Sequence, residues 1–285
     1  MAKGLREIKR QIKSTQNMKQ ITKAMEMVAA SKLRRSQEAA QAARPYADKI
    51  KEVVSSIAAG AKGTKNPILV QREIKKTGYL VITSDRGLAG GYNANLLRKL
   101  MQTLSQKHRS KEEYAIFVVG RKGRDFLKKR NIPMIGELTG LSDSPTFADI
   151  KPLATQAVNG YVDGTYDELY LVYNKFHNAI SQEPVLNRLL PLNMEGQTVT
   201  ADYEFEPSAE AVLDVLLPKY AETLIFSAML EAKASEFGAK MTAMGNATRN
   251  ATELIATYTL MYNRARQASI TQEITEIVAG ANALS

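Results

Sequence analysis

The chain reads as an α/β domain, Rossmann-like in its alternation, set between two long helices that form an antiparallel coiled coil. Three observations point there. No proline precedes Pro45 and none occurs from Lys219 to Ser285, so both ends carry long stretches free of the strongest helix breaker. Both stretches place apolar or small residues at alternating steps of four and three, the seam of supercoiled helices. Between them, short β-branched runs alternate with helical ones. At 1.5 Å per residue the last stretch has length for roughly 100 Å of helix. A rod carrying a compact domain is therefore expected, with boundaries at 1–61, 62–207 and 208–285.

In the first helix, Ala29, Leu33, Ser36, Ala40, Ala43, Ala47, Ile50, Val54, Ile57 and Ala61 hold the alternation without a miss. Upstream, Met18, Ile21, Met25 and Val28 hold it in a register offset by one, which predicts a local phase change at Val28/Ala29. Pro45 removes a backbone donor and is expected to kink or restart the helix; Gly60 and Gly63 end it. In the last helix the seam is Leu230, Ala234, Phe237, Met241, Met244, Thr248, Ala251, Ile255, Tyr258, Tyr262, Ala265 and Ser269. Pro207 precedes Ser208, whose hydroxyl suits an N-cap. The alanine-rich first seam complements the bulkier second, so pairing within one chain is expected, with a dimeric coil between chains as the alternative.

In the middle, Tyr79–Thr83, Tyr114–Val119 and Glu168–Tyr173 have the apolar, β-branched character of buried strands. Ile132–Leu138 and Val185–Leu192 are further strand candidates. Asn93–His108, Arg121–Arg130 and Thr146–Tyr161 read as the intervening helices. This order predicts a partly parallel sheet.

Composition narrows the chemistry. Cysteine and tryptophan are absent and only His108 and His177 could serve as imidazoles, so no cofactor or metal is expected. No apolar run is long enough to span a bilayer, and Glu7 and Glu26 argue against a transit peptide. The net charge of +10 is concentrated: Met1–Arg35 holds ten basic residues against two acidic ones. A helix so basic calls for an acidic partner. It lacks interleaved aromatics and carries an apolar seam, which favours an acidic protein surface over nucleic acid.

Candidate sites of chemistry read mostly as structure. Ser84–Gly91 follows a strand and precedes a helix, where doubly wound folds bind ligands, but its glycine spacing matches neither a dinucleotide fingerprint nor a P-loop. It is expected to be a structural turn. Gly120–Gly123 reads as a strand-to-helix turn. Ser84 and Ser142 have no histidine base in a recognisable context. Glu273 and Glu276 share a helical face and are expected to be solvated. The C-terminal tip is different: Ile270, Ile274, Ile277, Val278, Ala281 and Leu284 make it apolar over much of its girth. If the last helix outruns the first, that tip marks a binding surface.

Three segments resemble the gamma subunit family of bacterial F-type ATP synthases. They are Ile21-Thr22-Lys23-Ala24-Met25-Glu26-Met27-Val28-Ala29, the Ser84–Asn93 loop, and Asn263–Ala281, the last being long and specific. The resemblance covers essentially the whole chain. It implies a non-catalytic rotor shaft whose paired helices turn inside a hexamer of alpha and beta subunits, with the active sites on beta. It also implies contact with epsilon and the c-ring, at the cytoplasmic face of the bacterial cell membrane but without a membrane span. By the same resemblance, Lys23, Met25, Lys32, Arg34, Arg35, Lys240, Arg266, Gln267, Thr271 and Glu273 face the hexamer, and Tyr203, Glu204, Phe205 and Glu206 lie at the foot. Lys240 stands where the family often has arginine, and lysine cannot reproduce a bidentate fork. The cysteine-bearing insertion of chloroplast members is absent. A coiled-coil scaffold or nucleic-acid-binding protein with an α/β domain is the alternative reading.

Overall fold

The computed structural model describes residues 4–60, 66–193, 206 and 208–284. Two helices dominate: α1 (Leu5–Gly60) and α5 (Ala209–Leu284). Between them lie β1 (Thr77–Ile82), α2 (Tyr92–Lys107), β2 (Tyr114–Val119), α3 (Arg121–Lys129), β3 (Gly136–Leu138), α4 (Phe147–Val162), β4 (Glu168–Phe176) and β5 (Gln182–Leu190). Every strand and helix expected between the terminal helices is present, with ends shifted by a few residues. β3 is the most shortened, keeping only the last three residues of the expected run. The chain divides into two compact units, one of residues 29–240 and one of residues 1–28 with 241–285.

The larger unit holds the sheet, ordered β3-β2-β1-β4-β5. β1, β2, β3 and β4 run parallel, and β5 returns antiparallel to β4. β1 and β2 are buried along their whole length, as expected of strands covered on both faces. Their side chains divide by pleat. Tyr79, Val81, Ile116 and Val118 join the core under α2 and α3. Leu80, Ile82, Phe117 and Val119 join a second core with α4 and with Val54, Ile57, Leu213, Leu217 and Ile225 of the terminal helices. The ends of α1 and α5 thus serve as one covering layer of the sheet.

One turn behind the strands depends on backbone freedom. Gly120, between β2 and α3, has φ 95°, and a side chain there would run into the Thr83 carbonyl. The Thr83 hydroxyl donates to Val119 O and accepts from Gly123 N (both 2.9 Å), so the Gly120–Gly123 turn is locked against the end of β1.

Two expectations about α1 are corrected. The helix does not restart at Pro45, which sits inside it. Proline deletes one i−4 hydrogen bond, while the turns on either side keep theirs and Ala40, Ala43 and Ala47 remain half-buried. Nor is there a phase change at Val28/Ala29. Met18, Ile21 and Val28 are more than half exposed. The covered positions are Ile8 and Thr22, with Ile12, Thr15, Lys19 and Glu26 half-buried, and these keep one unbroken alternation into Ala29, Leu33 and Ser36. The seam continues; its residues turn polar. Ala61 and Gly63 lie outside the described residues. α5 begins as expected, with Ser208 Oγ accepting from Ala211 N at 3.2 Å.

Candidate functional site

In the smaller unit the start of α1 and the end of α5 pack antiparallel. Thr248 Oγ1 donates to Thr22 Oγ1 at 2.9 Å, and a Cβ placed on Gly245 would lie 3.5 Å from the Glu26 carboxylate, so one residue number rises as the other falls. Met244 and Ala251 are buried, and Ile255, Tyr258, Tyr262, Ala265 and Ser269 are half-buried, all on the expected seam. From Ile270 to Asn282 every residue is exposed, including Ile277 at 72% and Ile274 at 56%. α1 starts at Leu5, and among the described residues the last turns of α5 stay exposed beyond it. This is the apolar tip read from the sequence.

On the exposed face of α1 lie Lys23 and, in the larger unit, Arg34 and Arg35. Lys23 pairs with Glu26 at 3.3 Å and Arg34 with Glu38 at 2.9 Å, both within the helix. Such exposed pairs hold their partners weakly, by about 1 kcal/mol or less. Met25 is half-buried, and Lys3 lies outside the described residues. On α5, Arg266, Gln267, Thr271 and Glu273 are all exposed. Glu273 accepts from Ser269 at 3.2 Å and Glu276 from Gln272 at 2.9 Å, the helical contacts of solvated carboxylates. Glu206 is exposed, whereas Tyr203, Glu204 and Phe205 lie outside the described residues.

Lys32 and Lys240 are different, because both are held from inside the larger unit. Lys32 Nζ lies 2.5 Å from Asp143 Oδ2. Burial would raise the Asp143 carboxyl, but its hydrogen bond to Lys32 and the charges of Lys32, Lys233 and Arg86 outweigh burial and hold it below the ordinary value. Lys240 pairs with Glu236 at 3.0 Å, and Glu236 also meets the buried Lys233 at 3.5 Å. The sequence reading missed Asp143, Lys233 and Glu236. A Lys-x-x-Glu-x-x-x-Lys spacing on one helical face was the available signal.

The position where a doubly wound sheet takes a ligand is occupied by the protein itself. Past the carboxyl ends of β1 and β4, Tyr92 OH donates to Ala232 O at 3.0 Å and Asn174 Nδ2 to Tyr92 O at 3.2 Å. Ser235 Oγ donates to Asn174 O at 2.7 Å. α5 therefore fills the crevice that ligands take in this topology. The Ser84–Gly91 loop is likewise consumed by structure. Asn93 spans Ser84, accepting from its N at 3.0 Å and donating to its Oγ at 2.7 Å. Asp85 accepts from Arg121 N, Gly140 N and Leu141 N. Ser84 is fully buried. The His108 ring bonds Tyr79 OH at 2.8 Å and the His177 ring bonds the Glu183 carboxylate at 3.0 Å. Among the described residues no group of three or more metal-ligating side chains converges, and no helix is long and apolar enough to cross a membrane.

The candidate surfaces are thus helix faces and a helix tip. The ATP synthase family profile matches residues 4–284. The chain is 66% identical to the ATP synthase gamma chain of Brevibacillus brevis, over 99% of both. The chain belongs to the ATP synthase gamma-chain family. It resembles a chain of the Tetrahymena thermophila mitochondrial ATP synthase central stalk and c-ring, at 28% identity and TM-score 0.59, over 80% of this chain and 99% of that one. A chain of the Euglena gracilis mitochondrial ATP synthase shares the fold at TM-score 0.69 and 19% identity, over 98% and 94%. As a gamma-family member the chain is a subunit of a larger enzyme, which fits a fold whose ligand crevice is filled. The alternative of a free-standing scaffold or nucleic-acid-binding protein is set aside by the full-length match.

Proposed function

We propose that this chain is the central rotor shaft of a proton-translocating F-type ATP synthase, coupling rotation of the c-ring to conformational change at catalytic sites on the beta subunits. The observation that carries the reading is near-full-length identity to a bacterial gamma chain. The exposed basic face of α1 supports it, as does the uncovered tip of α5. Lys23, Met25, Arg34 and Arg35 are assigned to the acidic loops of beta, and Arg266, Gln267, Thr271 and Glu273 to loops of the alpha–beta hexamer. Lys32 and Lys240 join that surface from within their internal pairs. Tyr203, Glu204, Phe205 and Glu206 are assigned to the foot against epsilon and the c-ring. The complex sits on the cytoplasmic face of the bacterial membrane.

A shaft acts only by differential contact. A subunit that met three beta chains equally would bias none of them, so each orientation of the helix pair must favour one beta conformation over the others. The absence of cysteine from this chain makes a clean test available. A single cysteine at Lys23 is joined by a reversible disulfide to a cysteine in the acidic loop of beta. Multi-turnover hydrolysis is expected to stop on oxidation and return on reduction; full activity in the oxidised state sinks the rotor reading.

A further inference from the structure

Lys32 is one of the cations assigned to an outside partner, yet its nearest carboxylate is internal. Asp143, 2.5 Å away, lies in the strap between β3 and α4. That strap is itself fastened. Gly140 N and Leu141 N donate to Asp85 at 3.0 and 3.1 Å, and Arg121 N donates to the same carboxylate at 2.9 Å. Asp85 stands three residues past the end of β1. A continuous line of bonds therefore runs from the carboxyl end of the central strand through Asp85 and the strap to α1. On α5 the Phe237 ring lies between two ammonium groups, Lys32 at 5.8 Å and Lys240 at 5.3 Å. Glu236 holds Lys240 and Lys233, and all three side chains are under 15% exposed. The cluster sits at the limit of the larger unit, which ends at Ala29 on α1 and Lys240 on α5.

We propose that Asp143 is a positioning residue: through Lys32 it clasps α1 to the sheet within the larger unit, so that this stretch of α1 and the α/β body turn together. This rests on the rotor reading above. The physical argument is directional. Apolar packing between α1 and its neighbours is non-directional, and small rotations of a helix about its axis change the buried area little. An ion pair between a side chain on the helix and a tethered strap is directional, because a one-residue rotation of about 100° carries Lys32 away from Asp143. On α5, Glu236 bonds Lys233 and Lys240 of its own helix. In this arrangement the half-buried Asp143 carboxylate serves torque transfer.

The test uses the assembled complex in proton-tight vesicles, with hydrolysis and ATP-driven pumping read on the same preparation. The variants are Asp143→Asn, Lys32→Met and the exchange Lys32→Asp with Asp143→Lys. Asp143→Asn is expected to hydrolyse ATP within about two-fold of the parent while pumping per ATP falls by about three-fold or more; Lys32→Met is expected to lower pumping per ATP as much, and the exchange is expected to restore more than about half of it. In the isolated full chain, amide exchange over residues 140–144 should quicken by roughly ten-fold in Asp143→Asn, since the strap loses one of its two anchors. Parental pumping per ATP in both single variants overturns the clasp, as does unchanged exchange in the strap. A parent complex that hydrolyses ATP without pumping overturns the rotor reading instead, and the clasp falls with it. Asp143→Asn is nearly isosteric, and the exchange measurement on the isolated chain decides the matter even for a variant that does not assemble.

Discussion

Gly120 and His108 show how far single residues shape the α/β body. Gly120 has a backbone only glycine adopts freely, and it packs against the Thr83 carbonyl. Gly120→Ala should cost at least roughly 1–3 kcal/mol from backbone strain alone, with more from the clash, read as a lowered urea midpoint at unchanged slope. His108 is a buried imidazole bonded to Tyr79 OH at 2.8 Å, with Glu113 3.8 Å from its other nitrogen. Burial lowers its pKa below 6.5; Glu113 and Glu168 pull it up and Lys107 pulls it down without reversing the shift. The sign follows from proton counts. Between the lowered folded value and 6.5 the unfolded chain binds more protons, so stability is fully present above 6.5 and falls as pH falls through that window. His108→Gln keeps a partner for Tyr79 and removes the titration. Its stability should change less than the parent's between about pH 7.5 and about pH 5 in urea melts.

At the scale of elements, the helix pair makes the sharpest claim. The hydroxyls of Thr22 and Thr248 touch, so Thr22→Cys with Thr248→Cys should oxidise within one chain, seen as a faster-running monomer on non-reducing gels. Cross-linked dimers instead would favour a coil between chains. In the larger unit, Phe237 is buried between two lysines and anchors α5. Phe237→Ala should lose about 3–5 kcal/mol, checked by calorimetry of the isolated chain. The strands were legible because covered parallel strands are apolar along their length. The seam of α5 was legible because its spaced residues are the ones buried. The first turns of α1 misled for a definite reason: Met18, Ile21 and Val28 are apolar but face outward, while Thr15, Lys19, Thr22 and Glu26 take the seam. Their fit depends on the opposite helix, where Gly245 lies beside the Glu26 carboxylate and Thr248 supplies a hydroxyl partner. A polar seam cannot be recognised without its mate.

For the whole molecule, stability and function separate along α5. Residues 270–282 are exposed throughout, so truncation after Ser269 should leave the melting temperature of the isolated chain within about 2 °C of the parent. A larger fall would mean that the tip contributes to the fold. The sequence by itself determined the long terminal helices, the strand and helix order between them and the family, because each rests on local pattern: periodicity of four and three, β-branched runs, and a long specific motif. Only the tertiary structure decided which face of α1 is covered, that α5 fills the crevice of the sheet, and that Lys32 meets Asp143. The Lys32–Asp143 pair joins residues 111 apart in the chain, and neither local propensity nor spacing carries information about a contact that forms only when the β3–α4 strap folds onto α1.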